Sequence, residues 1–325
     1  MSQIKGKNVL VLGGAGFIGS HLVERLLESQ ADRIIVGDSF FLGNTSNLVF
    51  GSNVDTERME VVRLDATDFP ALSSLVQSRK IDWVFNLAVI PLPTSIEFPS
   101  WTVGANIQIA TNCCELVRTG LASRLIHISS SEVYGTASYV PMDEKHPYNP
   151  STPYAASKVA GDQIVESYRK TFGIDSRIIR PFNNYGPKQN SQSYAGIIPI
   201  VIRSAMRKEP INIFGDGQQT RDYVFVRDTA RTILSLSEAS VGWEGAVNVA
   251  TGVEVSVNNL VSGILTLMNK QNTSVIHIDP RPGDVRRHAG DTSLLESLAG
   301  FKLPQMTEGY LSETIEWYER SAVSD

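Results

Sequence analysis

Short apolar runs alternate with longer amphipathic segments through the first 180 residues. These runs predict β-strands at Asn8–Leu12, Arg33–Gly37, Met59–Leu64, Trp83–Leu87, Arg124–Ser129 and Arg177–Arg180. Because the runs are nearly continuous in Val, Ile and Leu, they are typical of strands covered on both faces. The pattern predicts an α/β fold with a doubly wound parallel sheet between two layers of helices.

The amphipathic segments predict the helices. In the first half they lie near Phe17–Ser29, Phe69–Ser78, Trp101–Thr119 and Pro153–Phe172, and in the second half near Tyr194–Lys208, Arg227–Ala239, Val257–Met268 and Thr307–Arg320. The second half is also richer in Gly, Pro and Asn. Since 325 residues exceed the usual size of a single core, we expect two unequal domains. The larger comprises 1–181 with about 222–252, where Asp222–Val226 and Ala246–Ala250 are candidates for returning to the main sheet, and the smaller comprises about 182–221 and 253–325.

Composition narrows the classes of protein and of partner. The formal charge is -5, which argues against a surface for nucleic acid or anionic lipid. No apolar run reaches the length of a signal-peptide core or a membrane span. The only cysteines, Cys113 and Cys114, are adjacent and indicate a reducing compartment. We therefore expect a cytoplasmic protein with no membrane or nucleic-acid partner, and no metal, since His127 and His288 lack ligand spacing.

A glycine-rich turn follows the first predicted strand. Gly13, Gly16 and Gly19 are spaced so that the chain can turn tightly and bring its amides close to a pyrophosphate, with Phe17 and Ile18 opening the next helix. The helix N-terminus then faces the phosphates. Glycines also serve ordinary turns, but this strand–turn–helix context favours a dinucleotide site.

Acidic residues after the next two strands extend this site. Asp38 stands about 20 residues beyond the glycines, where a carboxylate accepts hydrogen bonds from ribose hydroxyls and repels a 2′-phosphate, so NAD is favoured over NADP. Arg33 is the nearby residue that would favour NADP. Asp65 is interpreted either as an adenine contact or as the cap of a turn. The remaining cofactor contacts are expected at Ala66, Leu87 and Ala88.

Tyr154 and Lys158 are spaced i, i+4 on a predicted helix and are therefore neighbours on one face. A phenol with a pKa of about 10 needs nearby positive charge to act as a base at neutral pH. One ammonium at about 5 Å contributes roughly 3 kcal/mol at an effective dielectric near 20. We therefore expect Lys158, also a cofactor contact, to help Tyr154 remove a hydroxyl proton while the carbon gives hydride to NAD.

The end of the fifth strand carries three serines and a glutamate. Ser130 is the expected catalytic hydroxyl, because it lies at the edge where parallel sheets bind ligands and can both donate and accept a hydrogen bond. The alternative interpretation is that the serines only shape a turn. Ser131 is a candidate substrate contact and Glu132 a candidate catalytic carboxylate.

Together these motifs resemble the extended short-chain dehydrogenase/reductase family, specifically its nucleotide-sugar epimerases and dehydratases. The resemblance rests on Gly13-x-x-Gly16-x-x-Gly19, Ser130, Tyr154-x-x-x-Lys158 and Arg180-Pro-Phe-Asn183, and covers essentially the whole chain. It implies a Rossmann-type domain that holds NAD, a smaller C-terminal α/β substrate domain and a homodimer joined by a four-helix interface of Trp101–Thr119 and Pro153–Phe172. It also implies that Asn183, Arg221, Arg281 and Asp284 bind a nucleotide-diphosphate sugar, most commonly a UDP-sugar.

The resemblance leaves the reaction open. Relatives that dehydrate at C4 and C6 have Asp-Glu after the catalytic hydroxyl, 4-epimerases have small uncharged residues, and uronate decarboxylases have Ser-Glu, as Ser131-Glu132 is here. The decarboxylases also have an Arg where this chain has Ser151-Thr152-Pro153. We expect an epimerase resembling the UDP-hexose 4-epimerases, with a dehydratase that uses Glu132 as the C5 base as the alternative. A decarboxylase, a net sugar oxidoreductase and an NAD-sensing regulator rank below these.

The segment that should lie beside the hexose departs from the relatives. Pro91 and Pro93 stand in a region where a His or an aromatic residue often occurs. The prolines predict a rigid loop, and the sugar preference is left open.

Overall fold

A computed structural model of the chain describes residues 2–190, 196–239, 243–280 and 285–324, with side chains up to residue 321. The strands are β1 Asn8–Leu12, β2 Arg33–Asp38, β3 Met59–Arg63, β4 Trp83–Asn86, β5 Arg124–Ile128, β6 Ser176–Pro181, β7 Asn183–Tyr185, β8 Ile211–Phe214, β9 Thr220–Arg221, β10 Tyr223–Phe225, β11 Ala246–Val249, β12 Val255–Ser256 and β13 Val275–Ile278.

The helices are α1 Phe17–Glu28, α2 Phe69–Ser78, α3 Leu92–Glu97, α4 Pro99–Arg118, α5 Pro153–Phe172, α6 Ile197–Arg207, α7 Val226–Ser237, α8 Val257–Leu267, α9 Ser293–Ala299 and α10 Glu308–Ser324. Short 3₁₀ turns occupy Thr45–Leu48 and Ser131–Tyr134. None of these helices is both long and apolar enough to cross a membrane.

Seven parallel strands form the central sheet, in the order β11-β6-β5-β4-β1-β2-β3. Successive β1 side chains point to opposite faces, so Val9 and Val11 join the core under α1 and α7, whereas Leu10 and Leu12 join the core under α2, α4 and α5. The sheet is thus buried on both sides. This arrangement confirms the predicted Rossmann-type α/β fold.

Local sequence signals set the ends of α5. The Thr152 hydroxyl accepts a hydrogen bond from the amide of Ala155 at 3.2 Å, and Pro153 occupies the first turn, where no amide hydrogen is required. Gly173 ends the helix at a φ of 67°, a left-handed conformation that glycine adopts without steric cost. These ends fix the register of the face that carries Tyr154 and Lys158.

A third core lies outside the main sheet. It gathers apolar side chains of α6, α8 and α10 with those of the strand pair β7–β10 and of β8. This separate core is consistent with a smaller C-terminal unit. The division of the chain into domains remains our proposal.

One strand expectation is wrong and one is confirmed. Ala246–Val249 does return to the main sheet, beside β6. Tyr223–Phe225 instead pairs with Asn183–Tyr185 in a separate two-stranded sheet. The reason is tertiary: β6 already has β11 along its free edge, whereas β7 leaves the sheet directly after Pro181 and needs a partner.

Candidate active site

A cavity of about 1890 Å³ opens at the carboxyl edge of the central sheet. Six parallel strands end there, as expected for a ligand site in an open α/β sheet. The predicted site residues that line it are Gly13, Gly16, Phe17, Ile18, Gly19, Asp38, Asp65, Ala66, Leu87, Ala88, Ser130, Ser131, Glu132, Tyr154, Lys158 and Asn183. The fold therefore brings together residues that lie up to 170 positions apart.

The glycine turn presents bare backbone to this cavity. Gly13 has a φ of +74°, and a Cβ there would lie 2.9 Å from the backbone of Leu87 and Ala88. Helix α1 begins at Gly16 without a side-chain cap and with no acidic residue in its first turn. Its first amides therefore keep their hydrogen-bonding capacity and favour a negative charge. This geometry fits the pyrophosphate of a dinucleotide.

Asp38 is buried at the end of β2 and is held by the backbone. Its Oδ2 accepts from the amide of Ala15 at 2.9 Å, and its Oδ1 accepts from the amide of Phe40 at 2.8 Å. Each carboxylate oxygen retains lone-pair capacity for a ribose hydroxyl. Arg33 lies at the other end of the same strand and therefore does not face the site of a 2′-phosphate.

Asp65 combines both of its proposed roles in one place. Its Oδ1 accepts from the amide and the hydroxyl of Thr67, at 2.9 and 2.8 Å, which is the turn-capping interpretation. The same residue lines the cavity beside Ala66. A turn cap and an adenine contact are therefore compatible at this position.

Tyr154 and Lys158 project from α5 toward the end of β5. The Lys158 ammonium donates to the carbonyl of Ile128 at 2.6 Å. The Ser130 hydroxyl accepts from the amide of Glu132 at 3.2 Å, and Ser130 is also hydrogen-bonded to the Tyr154 side chain. The strand end and the helix thus set Ser130, Tyr154 and Lys158 in one constellation.

Burial opposes ionisation of both Tyr154 and Lys158. It raises the pKa of Tyr154 to about 12, against a lowering by the hydrogen bond from Ser130, and the charges of Glu132 and Asp162 raise it further. Burial lowers the pKa of Lys158 to about 8. Lys158 therefore does not offset the desolvation of Tyr154 by itself, because desolvation penalises both charged forms. A cationic nicotinamide is a further source of positive charge.

The turn that carries Ser131 and Glu132 is anchored from the far end of the chain. His288 is fully buried, and its Nε2 lies 3.1 Å from the carbonyl oxygen of Ser131. Burial lowers the pKa of His288 to about 4, so the ring is neutral and donates from Nε2. This contact holds Glu132 at the cavity wall, where its charge acts on Tyr154.

The predicted substrate contacts divide into three groups. Asn183 lines the cavity, and its Oδ1 is buried without a hydrogen-bond partner among the described residues, which suits a ligand contact. Arg221 is not part of the cavity wall, since its guanidinium donates to the carbonyls of Thr220 and Val285. Arg281 and Asp284 lie outside the described residues.

Four cationic residues of the cavity wall were missed by sequence reasoning, Arg63 at the end of β3 and three on the C-terminal side. Lys188, Arg203 and Arg207 face the cavity from the C-terminal side. The available signal was the spacing of Arg203 and Arg207, one turn apart on the polar side of α6. Lys188 carried no such signal.

The proline-containing segment is a helix and not the rigid loop we expected. Pro91 precedes α3, and Pro93 lies in its first turn, where proline is well tolerated. The Asn106 side chain accepts from the amide of Ile90 at 2.8 Å and donates to its carbonyl at 3.1 Å. Asn106 thereby fixes the segment that lines the cavity at Val89–Pro93.

Comparisons with known proteins agree with this geometry. The model of the NAD dependent epimerase/dehydratase family matches residues 9–250. The chain is 34% identical to the UDP-glucose 4-epimerase of Mycolicibacterium smegmatis over 317 residues, which are 96% of this chain and 99% of the relative.

Solved structures of two different activities superpose on the fold. The UDP-N-acetylglucosamine 4-epimerase of Methanobrevibacter ruminantium, in complex with UDP-N-acetylmuramic acid, is 31% identical with a TM-score of 0.89, and the match covers 98% of this chain and 99% of that one. A dTDP-glucose 4,6-dehydratase of Streptomyces venezuelae with NAD bound is 29% identical with a TM-score of 0.90, and the match covers 98% of each chain.

Proposed function

The chain belongs to the NAD-dependent epimerase/dehydratase family, and from this premise we propose that it epimerises a nucleotide-diphosphate hexose through transient oxidation at C4. The observation that carries this proposal is the set of carboxylates at the cavity wall. Among the described lining residues these are Asp38 and Asp65, on the cofactor side, and Glu132 beside Tyr154. One carboxylate near the reacting hydroxyl is fewer than dehydration requires.

The proposed oxidation uses three side chains of the constellation. Bound NAD would supply the acceptor, and later the donor, of the C4 hydride. Tyr154 removes the proton of the C4 hydroxyl, and the positive charge of Lys158 favours the phenolate. Ser130 holds the reacting oxygen by a hydrogen bond. In an epimerisation the hydride returns to the opposite face of the sugar, and Tyr154 gives the proton back.

Dehydration requires an acid and a base, and the described cavity does not supply both. Eliminating water from a 4-keto sugar takes a base for the C5 proton and an acid for the C6 hydroxyl. Glu132 can be that base. The preceding residue is Ser131, whose hydroxyl is too weak an acid at neutral pH to protonate a leaving group. Epimerisation is therefore the first choice.

A 4,6- or 5,6-dehydratase is the second candidate, and Glu132 is the observation that favours it. The charge of Glu132 raises the pKa of Tyr154, so the carboxylate lies within electrostatic reach of the reacting hydroxyl. A binding role toward a sugar hydroxyl would place it equally well. The two roles differ in whether Glu132 must accept a proton.

Cations at the C-terminal wall support a nucleotide-diphosphate substrate. Lys188, Arg203 and Arg207 face the cavity there, and the unpaired Asn183 Oδ1 lies in the same wall. Arginine side chains suit phosphate oxygens because their donors match the geometry of the anion. We propose UDP as the nucleotide, as in the 4-epimerase relatives.

We also propose an oligomeric state and a cellular compartment for the protein. Helices α4 and α5 lie side by side, and Trp101 and Phe172 at their ends are half exposed, which supports a homodimer in which each protomer contributes both helices. Two buried free thiols, Cys113 and Cys114, support a cytoplasmic protein. Sedimentation of the purified protein tests the dimer.

The proposed activity is tested by incubating the purified protein with UDP- and dTDP-hexoses without added cofactor. Product and substrate masses are compared, and the sugar stereochemistry is read by NMR. Unchanged mass with an inverted C4 is the expected result. Loss of one water would replace the epimerase by the dehydratase. In a parallel incubation with added NAD, stoichiometric consumption of that NAD would replace both by a net oxidoreductase.

Glu132→Gln separates the two leading reactions. In an epimerase we expect a change mainly in substrate affinity, by about tenfold, the size of one charge-assisted hydrogen bond, with turnover nearly unchanged. In a dehydratase the variant would still reduce its bound NAD, yet release no dehydrated product. Absorbance at 340 nm and product mass distinguish the two outcomes.

A further inference from the structure

A third ionisable side chain continues the helix face of Tyr154 and Lys158. Asp162 follows Lys158 by four residues on α5, just as Lys158 follows Tyr154, so the three lie one helical turn apart. Asp162 is 1% exposed. A buried carboxylate is costly unless it is paired, and the proposed reaction makes no direct use of it.

Asp162 is paired with Arg180 on one side. Its Oδ2 accepts from Arg180 Nε at 2.9 Å and lies 2.8 Å from Nη2. Ser129 is also hydrogen-bonded to this carboxylate, and Oδ1 lies 3.9 Å from His127 Nε2. His127 Nδ1 accepts from the Asn86 amide at 3.1 Å. Burial lowers the pKa of His127 well below its usual value, so the ring is neutral.

Among the described residues, the other titratable groups around Asp162 place no second negative charge next to Lys158. Arg180 also donates to the hydroxyls of Tyr134 (2.8 Å) and Tyr148. Burial raises the pKa of Tyr134, which keeps that phenol neutral. Glu144 accepts from the Asn248 amide, and the Asn248 side chain in turn accepts from Tyr134, so these two residues separate Glu144 from Asp162. Glu132 acts from the other side, on Tyr154.

Asp162 is the group that opposes the loss of the Lys158 proton. Burial lowers the pKa of Lys158 to about 8, and the charge of Asp162 raises it. The same charge also raises the pKa of Tyr154. Along the helix axis, however, Asp162 is four residues and about 6 Å from Lys158, and eight residues and about 12 Å from Tyr154. For charges separated by about these distances, at an effective dielectric near 20, Asp162 favours the proton on Lys158 about tenfold more than the proton on Tyr154.

We propose that Asp162 is a positioning residue that keeps Lys158 protonated to a higher pH, so that Tyr154 has a cation beside it when it acts as the base. Without this carboxylate, Lys158 becomes a neutral amine at a lower pH. Tyr154 then stays a phenol with no cation beside it. The inference rests on the proposed sugar oxidation, in which Tyr154 is the base.

Two substitutions break the same ion pair but change the charge near Lys158 in opposite directions. Asp162→Asn removes the anion and leaves Arg180, so the pKa of Lys158 falls. Arg180→Gln removes the competing cation, while the charge of Lys158 still favours the ionised form of Asp162, so the pKa of Lys158 rises. A purely structural role of the pair predicts the same effect for both variants. Each of the two variants is therefore the matched control for the other.

The first measurement is the rate at which a nucleotide sugar reduces the bound NAD, in a single turnover from pH 6 to 10. We expect the alkaline fall of the rate to move down by about one pH unit in Asp162→Asn and up in Arg180→Gln. Asp162→Glu, which keeps the charge, should restore the wild-type limb. Equal displacement in both variants, or none, would overturn the proposal.

The second measurement needs no substrate. Because the pKa of Lys158 is lowered in the folded state, the unfolded chain binds more protons between about pH 8 and the usual lysine range, and stability rises with pH through that window. In denaturant titrations, the rise should begin at a lower pH in Asp162→Asn and at a higher pH in Arg180→Gln. If Asp162→Asn does not fold, Arg180→Gln decides alone, and a downward shift in it would refute the role.

The two proposals fail separately. If the wild-type protein reduces no bound NAD with any nucleotide sugar, the proposed function fails, while the denaturant titrations still test Asp162. If the wild type reduces NAD and the alkaline limb is insensitive to Asp162→Asn, only the role of Asp162 fails.

Discussion

The two sides of the cavity present different chemical groups to a ligand. On the proposed cofactor side, the expected contacts are backbone amides at the start of α1 and a carboxylate, Asp38, that is itself held by two amides. On the sugar side, they are side chains of Ser130, Glu132 and Tyr154. The first side depends on how closely the backbone can approach. The second depends on which side chain carries a proton.

This difference predicts two kinds of sensitivity. A single added methyl group should damage the cofactor side, because the glycine turn has no room for it. The sugar side should tolerate changes of shape better than changes of charge, since burial already holds the pKa values of Tyr154 and Lys158 far from their usual ones. The following changes test that contrast, from the largest expected effect to the smallest.

Tyr154→Phe should have the largest effect on the sugar side. Loss of the proton acceptor should lower the rate of bound-NAD reduction by about 10²- to 10⁴-fold, while NAD affinity stays within about twofold because the backbone site is untouched. Tyr168→Phe on the same helix, whose hydroxyl donates to Glu115 at 2.6 Å, is the control. An unchanged rate in Tyr154→Phe would remove this residue from the chemistry.

Gly19→Ala should break the cofactor side. The new Cβ would overlap the carbonyl oxygen of Gly13 and lie 2.8 Å from Gly14 Cα, which we expect to cost about 1–3 kcal/mol and at least tenfold in NAD affinity. Gly263→Ala in α8 is the control, because no atom lies within 4 Å of its Cβ. That variant should be more stable by about 0.5–1 kcal/mol. Normal NAD binding by Gly19→Ala would contradict the backbone account.

Asp222→Asn tests how the sugar side is supported. Its carboxylate accepts from the amide of Thr251 at 2.9 Å, the amide of Gly252 at 2.8 Å and the amide of Gly290 at 3.2 Å, and its own carbonyl accepts from the amide of Asn183. An amide in its place turns one acceptor into a donor.

We expect Asp222→Asn to lose about 2–3 kcal/mol of unfolding free energy, with substrate affinity falling more than NAD affinity. Chemical denaturation and titrations of both ligands measure this. Asp216→Asn, at an exposed position of the same half, should leave the denaturation midpoint unchanged. Equal loss of both affinities would show that Asp222 supports the whole cavity instead.

Asp38→Asn should have the smallest effect and the most specific one. The ribose hydroxyls lose one charged acceptor, so NAD affinity should fall by about tenfold, and discrimination against NADP should weaken because the repulsion of a 2′-phosphate is removed. Cofactor titrations measure both. Asp32→Asn, in the exposed turn before the same strand, should change neither.

Much of the fold could be predicted from the sequence wherever the local sequence preference agrees with the tertiary packing. The predicted β1, α2 and α5 have the observed bounds, because β-branched runs, an Asp68 cap, Thr152 and Gly173 mark them locally. Tyr223–Phe225 was assigned to the wrong sheet and α3 was read as a loop. In both cases the strand or helix signal was short, and a long-range neighbour decided the outcome.

The sequence by itself determined the order and spacing of the candidate catalytic residues along the chain. Spacing is enough for this, because a glycine turn, a strand end and an i, i+4 pair each define local geometry. Only the tertiary structure decided their protonation. Burial of Tyr154, Lys158 and Asp162 together sets which group holds charge, and burial is a property of every segment packed around them.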